Sequence, residues 1–162
     1  MLIASMNPCP CGYYGSNIRE CTCSQTAIKN YLSKISGPLL DRIDINVNVK
    51  PVEYKNLEST KKIETSKEIK QRVEKARNIQ KERYKNTKIL YNSELTPKLI
   101  EKYCELEKEG KSLMKKAFIN YGLSARTYTR ILKVARTIAD LEENEKINTQ
   151  NIAEAIQYRI IN

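Results

Sequence analysis

The order of hydrophobic and polar residues divides the chain into a short N-terminal part with strand-like patterns and a longer part with helical patterns. Residues 2–7 form an apolar run that ends in the polar side chain of Asn7, and prolines directly behind it would end a β-ladder. Residues 43–49 alternate isoleucine and valine with aspartate and asparagine, which is the period of a half-buried strand. Residues 1–51 are therefore predicted to contain the last strands of an α/β core.

Residues 52–162 show helical periodicity and predict an all-α domain. Residues 57–84 contain no glycine or proline and carry one thin apolar stripe, so they predict a long helix with shallow packing. Residues 123–141 carry the broadest stripe of the chain and predict the central helix of this domain. The thin stripe consists of Ile69, Val73, Ala76 and Tyr84. The broad stripe consists of Tyr128, Ile131, Leu132, Ala135, Ile138 and Ala139.

Start and stop signals divide the remaining helical residues. A threonine and a proline at positions 96 and 97 are a good N-cap and first helical residue, and they predict a short helix that ends at Tyr103. Residues 106–121 predict another helix, and Gly122 supplies its stop. Ser124 is predicted to cap the central helix, and Asn148 or Thr149 is predicted to cap a final helix. The residues of this final helix that would close the bundle are Ile152, Ala155, Ile156 and Arg159.

The composition is that of a soluble, basic protein. The 29 lysines and arginines exceed the 19 acidic residues, which gives a net charge of +10. No stretch approaches the roughly 18 apolar residues of a membrane helix, and the N-terminus lacks the charged head and long apolar core of a signal peptide. We therefore expect a cytoplasmic protein without a membrane partner.

Much of the excess positive charge lies in residues 61–88, which hold eleven basic and four acidic residues. Such a run has two interpretations: a solvated helix face, or a surface for nucleic acid whose binding releases counterions and weakens with salt. The candidates for phosphate contact are Lys67, Lys70 and Lys81. Tyrosines are sparse along this run, so stacking of bases on it has little support.

Four of the five cysteines form a dense group near the N-terminus. Cys9, Cys11, Cys21 and Cys23 read C-x-C, nine residues, C-x-C, and the chain has no histidine. Two thiolate pairs on a short loop can supply the tetrahedron that zinc requires. The tight C-x-C spacing leaves reduced, unliganded thiols as an equal alternative, with disulfides third because a cytosolic protein is kept reduced. Cys104 lies in a helical pattern and is predicted to be a small core residue.

Arg42 is the one arginine of the segment SGPLLDRID, residues 36–44. It follows two leucines that are predicted to be buried, so we expect the guanidinium at a surface. Asp41 and Asp44 flank it and are expected to position it by charge pairing.

Arg126, Arg130 and Lys133 are spaced four and three residues apart, which places them on one face of the central helix. Spacing alone favours ordinary solvated side chains. Arg126 nevertheless lies in the first turn, where the positive end of the helix dipole disfavours a cation. A phosphate partner would remove that conflict.

Three separated motifs, in order, resemble a known family. They are MNPCPCG with SGPLLDRID, then LSARTYTRILKVARTIADL at residues 123–141, then AEAIQYR at residues 153–159. Together they resemble the AAA+ ATPases related to the magnesium-chelatase ATPase subunit, most closely the ComM/YifB family. The resemblance implies Asn7 as the sensor 1 residue, Arg42 as an arginine finger that acts on a neighbouring subunit, and Arg126 as the sensor 2 arginine. It also implies a helical lid over residues 52–162.

The resemblance further implies ATP and Mg²⁺ as cofactors of the full-length protein, a homo-oligomeric ring such as a hexamer, and DNA as the partner, through branch migration during natural transformation. No G-x-x-x-x-G-K-[ST] segment and no magnesium-holding acidic strand occur in the chain. We therefore expect a C-terminal fragment that is inactive alone, in which an α/β remnant of a AAA+ core precedes an all-α lid. The alternative is a non-enzymatic module, a zinc loop with a basic helical domain that binds nucleic acid or a protein partner.

Overall fold

A computed structural model describes residues 2–49 and 64–159, and these residues are mainly helical. Among them lie seven α-helices and one 3₁₀ helix, Asn92–Glu94. The α-helices are α1 Gln25–Leu32, α2 Gly37–Leu40, α3 Ser66–Arg83, α4 Pro97–Tyr103, α5 Lys108–Asn120, α6 Ala125–Leu141 and α7 Thr149–Gln157. No helix in these residues is long and apolar enough to cross a membrane.

The chain divides into two compact units. The first unit is Met1–Ile43 with Val47–Lys61, and the second unit is Asp44–Asn46 with Lys62–Asn162. The boundary predicted between residues 51 and 52 lies outside the described residues.

The predicted α/β core is not observed, because residues 2–49 and 64–159 contain no β-strand. Ile3 is 82% exposed and Val49 is 83% exposed, so the apolar side chains of the two predicted strands are largely uncovered among the described residues. A strand forms only with a hydrogen-bonded partner strand. An apolar pattern indicates which side chains need burial, but it does not show whether such a partner exists. The prediction of a mainly α chain is confirmed, and the α/β remnant was wrong for the described residues.

In the first unit, two helices begin at serine caps. The Ser24 hydroxyl accepts a hydrogen bond from the backbone N–H of Ala27 at 3.2 Å, and the Ser36 hydroxyl accepts one from Leu39 at 3.3 Å. Among the described residues of this unit, the buried hydrophobic side chains are those of Cys9 and Ile28. The described part of this unit therefore has a very small apolar core.

In the second unit, α6 is the central helix, as predicted. Helices α3, α4 and α7 all pack against it, and α7 also packs against α5. The Ser124 hydroxyl caps α6 by accepting from the N–H of Thr127 at 3.1 Å, and Asn148 caps α7. The buried side chains that α6 and α7 contribute to the core are Ile131, Leu132, Ala135, Ile138, Ala139, Ile152, Ala155 and Ile156.

Helix α3 packs shallowly, as its thin stripe predicted. It begins after Thr65, whose side chain forms a capping box with Glu68, and the predicted residues 57–63 lie outside the described residues. Ile69 is 42% exposed and Val73 is 45% exposed, whereas Ala76 and Tyr84 are buried, and this agrees with the predicted shallow packing. Only the C-terminal half of α3 reaches α6, because the stripe is too narrow to hold the whole helix against the core.

A buried polar network, which the sequence did not predict, joins α3 to α6. The Asp140 carboxylate is fully buried and accepts from Arg83 at 2.8 and 2.5 Å and from Arg136 Nε at 3.1 Å. The Asn92 amide also donates to Asp140, at 2.9 Å. Burial lowers the pKa of Arg83, but its bond to Asp140 outweighs that effect and raises it overall. The network fixes how these helices pack.

Candidate metal centre and nucleotide-contact residues

The four N-terminal cysteines lie together in the first unit. A turn closed by the backbone bond from Gly12 N–H to the Cys9 carbonyl, at 3.0 Å, brings the first C-x-C pair back toward the second pair. Gly12 has φ +83, a conformation that other residues rarely adopt. The four sulfur atoms all lie within 4.8 Å of one another. The predicted grouping of Cys9, Cys11, Cys21 and Cys23 is therefore confirmed in space.

Three of the distances between sulfurs are similar to, though shorter than, the edges of a metal tetrahedron. The Sγ atom of Cys9 lies 3.3 Å from that of Cys11 and 3.7 Å from that of Cys21, and the Cys11 and Cys21 sulfurs are 3.5 Å apart. A tetrahedron with Zn–S bonds of about 2.3 Å has edges of about 3.8 Å. Four thiols without histidine form a closed donor set of the kind used by structural zinc. The residues present therefore fit one zinc ion.

The surroundings of the four thiols lower the pKa of Cys9 and Cys11 and raise the pKa of Cys21 and Cys23. A hydrogen bond from the backbone of Tyr13 lowers the pKa of Cys11 to about 6, although burial opposes it. The N–H of Tyr14 donates to the Cys9 sulfur at 3.4 Å. The pKa of Cys21 is raised to about 12: the backbone of Cys23 lowers it, but burial and bonds to the other thiols raise it more. A cation would be needed to deprotonate all four thiols at neutral pH.

Cys104 is not part of this cluster. Its side chain is buried among the core residues of the second unit, as predicted. Burial raises the pKa of the Cys104 thiol to about 11, so it stays protonated and unreactive.

Asn7, the predicted sensor 1 residue, is exposed at the edge of the cysteine turn. A Cβ atom at Gly12 would lie 3.7 Å from Asn7 Nδ2, an ordinary van der Waals distance, so the Asn7 amide lies directly beside the turn. A folded cysteine loop would therefore hold the backbone next to Asn7.

Arg42 is exposed, as predicted, just after helix α2. Its Nη1 donates to the Pro38 carbonyl at 2.8 Å, one helical turn earlier. Asp44 was expected to pair with Arg42. Its carboxylate accepts a hydrogen bond from Arg130, and both Asp44 and Arg130 belong to the second unit. That pair is 86 residues apart in sequence, and no local pattern could have indicated it.

The three cations predicted on one face of α6 differ in their contacts. Arg130 contacts Asp44, and the Lys133 ammonium donates to the Ser93 carbonyl at 2.8 Å, so both hold structure together. Arg126 lies in the first turn of α6 and is exposed. The guanidinium of Arg159 donates to Thr127 in the same turn, at 3.3 Å. Two arginines therefore lie at the start of this helix.

The lysines predicted to contact nucleic acid all lie exposed on α3. Acidic residues accompany the cations of this helix. Lys70 lies 3.7 Å from Glu74, and Lys75 lies 2.8 Å from Glu143. These carboxylates weaken the positive field along α3. Lys67 and Lys81 have no ion pair within residues 64–159.

Comparison with known proteins covers nearly the whole chain. The family model described as magnesium chelatase, subunit ChlI, matches residues 1–57, and that described as magnesium chelatase, subunit ChlI C-terminal, matches residues 63–159. The competence protein ComM of Haemophilus influenzae is 41% identical over 160 residues, which are 98% of this chain and 30% of ComM. The protein YifB of Escherichia coli is 39% identical over 162 residues, 99% of this chain and 31% of YifB.

The YifB protein of Salmonella typhimurium is 40% identical over 162 residues. The chain thus spans less than a third of the length of these relatives, at 31% of each YifB protein. The C-terminal family model alone accounts for most of the second unit. The chain belongs to the magnesium-chelatase-like family, with ComM and YifB among its homologues.

Proposed function

We propose that this chain forms the C-terminal part of the ATPase module of a ring-forming AAA+ protein. The observation that carries the proposal is that both family models match in order, over residues 1–57 and 63–159. The chain has no phosphate-binding loop and no metal-holding acidic strand, so other parts of the full-length protein would hold ATP and Mg²⁺. The chain alone would then neither bind ATP tightly nor hydrolyse it.

Three exposed residues would serve the reaction. Asn7 would orient the attacking water, and Arg126 would contact the γ-phosphate bound by its own subunit. Arg42 would reach the nucleotide of the next subunit and stabilise the charge on the transferring phosphoryl group. Its bond to the Pro38 carbonyl supports this role, because it limits the rotation of a surface side chain that must reach across an interface. A phosphate beside Arg126 would also offset the unfavourable position of that cation in the helix dipole.

The four cysteines would hold one structural zinc ion. The metal would fix the loop that carries Asn7 and would supply no step of ATP hydrolysis. A cytoplasmic location suits this role, since thiols there stay reduced and available to a metal.

The substrate of the whole protein would be DNA. The relative from Haemophilus influenzae is named a competence protein. We extend that role to this chain as an ATP-driven, DNA-remodelling motor, active in branch migration as a homo-oligomeric ring such as a hexamer. This step rests on family analogy.

A mixing experiment on the full-length protein tests the role of Arg42. Arg42→Ala should abolish ATP turnover and leave nucleotide binding nearly unchanged, because a finger acts only on the transition state of the neighbouring site. Mixing this variant with subunits that have an inactivated phosphate loop and an intact Arg42 should restore part of the activity. The matched control is Arg19→Ala, since Arg19 is also an exposed arginine of the first unit. If no mixture recovers activity, Arg42 is structural.

A further inference from the structure

Helix α5 carries a line of lysines on its surface. The sequence pattern did not single out this line, because residues 61–88 hold a larger excess of positive charge. Lys108, Lys111 and Lys115 are all exposed and are spaced three and four residues apart, so they lie on one face of the helix. Neighbours at this spacing have Cβ atoms about 5–6 Å apart. The three ammonium groups therefore form a continuous cationic line.

Negative charge lies near only the N-terminal end of this line. Glu105, Glu107 and Glu109 lie around Lys108, whereas residues 111–139 contain seven lysines and arginines and no aspartate or glutamate. Within residues 64–159, none of the three lysines takes part in an ion pair. On α3, by contrast, Lys70, Arg72, Lys75 and Arg83 all pair with carboxylates. The charge of α5 is available to a partner.

Two exposed aromatic rings lie near the C-terminal end of this lysine line, Phe118 on α5 itself and Tyr121 at its C-cap. Phe118 follows Lys115 by three residues and is 40% exposed. Its ring packs edge-on against Tyr128 of α6, with 6.4 Å between ring centroids, and this contact limits its orientation. Tyr121, three residues further on, is 55% exposed. Large exposed aromatic rings next to unpaired cations are the features by which proteins bind single-stranded nucleic acid, through base stacking and phosphate contact.

We propose that this face of α5 binds single-stranded nucleic acid. Lys108, Lys111 and Lys115 would contact successive phosphates, and Phe118 and Tyr121 would stack on bases. The inference rests on the proposed DNA-remodelling function. It extends that function by naming the surface that would bind the DNA strand. It places the contact on α5 and not on α3, where aromatic rings are fewer and carboxylates more frequent.

Two matched charge reversals test the phosphate contact. Binding of a fluorescent oligothymidylate of about 20 nucleotides is followed by anisotropy over a range of salt concentrations, without ATP. The first triple variant is Lys108→Glu, Lys111→Glu and Lys115→Glu, and the control is Lys67→Glu, Lys70→Glu and Lys81→Glu on α3. Both variants replace three exposed lysines and change the net charge equally. The α5 variant should lower the log-log salt slope by about two units, and the α3 variant should leave it unchanged.

A second pair of variants tests the stacking. Phe118→Leu keeps an apolar side chain but removes the ring face, and it should weaken binding about tenfold at low salt without changing the salt slope. Ile119→Ala, on the neighbouring exposed side chain, should leave binding unchanged. Circular dichroism of all variants checks that the helices remain folded.

The outcomes separate this inference from the proposed ATPase role. If the α3 variant lowers the slope as much as the α5 variant, or the α5 variant leaves it unchanged, the proposal is wrong. Equal binding by all variants, or no binding by any variant, would also overturn the proposal. A protein would then be the remaining candidate partner for this face. Because the assay contains no ATP, its result does not depend on the Arg42 mixing experiment, which can fail or succeed separately.

Discussion

The two units of this chain differ in how many apolar side chains their described residues bury. The second unit buries a cluster of sixteen hydrophobic residues within the described part of the chain, and its central helix also holds the buried Asp140 network. In the described part of the first unit, the buried hydrophobic side chains are Cys9 and Ile28. A unit with so little apolar burial needs another source of stability, and a metal is the usual one in small domains. The comparison leads us to predict that a metal held by the cysteines, and not an apolar core, orders the region around Asn7.

Removal of one thiol should have the largest effect. Cys9→Ser should abolish binding of the one zinc per chain that the four thiols would hold, and should disorder the first unit, because the buried Cys9 sulfur would be one of the four ligands. Metal analysis of protein prepared under reducing, chelator-free conditions measures this. Cys104→Ala is the control, since it removes a thiol from the second unit only and should keep the metal. Retained metal in Cys9→Ser, or none in the parent protein, would contradict the comparison.

Loss of the buried carboxylate should be the next largest effect, and it should fall on the second unit. Asp140→Ala leaves the guanidinium groups of Arg83 and Arg136 without their buried partner, and should lower the free energy of unfolding by about 3–5 kcal/mol. Chemical denaturation monitored on the helical signal gives the value. Glu143→Ala breaks only the exposed pair with Lys75 and should cost about 0–1 kcal/mol. Equal losses in the two variants would show that the network does not hold these helices.

Removal of a helix cap should cost less. Ser124→Ala removes the hydroxyl that accepts from the N–H of Thr127 at the start of α6, and should lower the free energy of unfolding by about 1 kcal/mol. Ser124→Asn, which can still cap, should retain most of the stability. Thermal unfolding of the second unit measures both variants. A larger loss in Ser124→Asn than in Ser124→Ala would rule out capping as the reason.

An exposed pair on α3 should have the smallest effect. Glu74→Gln removes the partner of Lys70 at spacing four, a contact worth about 0.2–0.5 kcal/mol. Because Ile69 and Val73 are also exposed, we expect no further loss from repacking. A decrease above about 1 kcal/mol would indicate that this half of α3 is buried against a partner in solution.

The sequence predicted the helical unit well, because its signals are local. The broad stripe of α6, the serine cap at Ser124 and the buried Cys104 all follow from residues close together in the chain. Strands at residues 2–7 and 43–49 were predicted wrongly, since a strand depends on a partner that periodicity does not reveal. The Asp140 network was missed because Arg83 and Asp140 are 57 residues apart and charged side chains are rarely buried.

The candidate metal site was predicted only in part, because the cysteine spacing is a local signal and the rest of the site is not. Cysteine spacing placed four thiols in one short loop, and the structure brings their sulfurs within 4.8 Å of one another. The backbone N–H donors at Tyr13 and Tyr14 depend on the turn that the loop adopts, and spacing cannot indicate them. The roles of Asn7, Arg42 and Arg126 stay predictions, because each depends on a nucleotide and on neighbouring subunits.

Hydrogen exchange with and without a zinc chelator tests most directly whether the two units are stabilised separately. The full-length protein is incubated under reducing conditions, and exchange is followed by mass spectrometry in peptides from the cysteine loop, α1 and α6. Chelation should speed exchange from Cys9 through the loop to α1, whose buried Ile28 belongs to the same small unit, and should leave α6 protected. Unchanged exchange in the cysteine loop, or equal loss of protection in α6, would contradict a metal-dependent first unit beside an independently stable second unit.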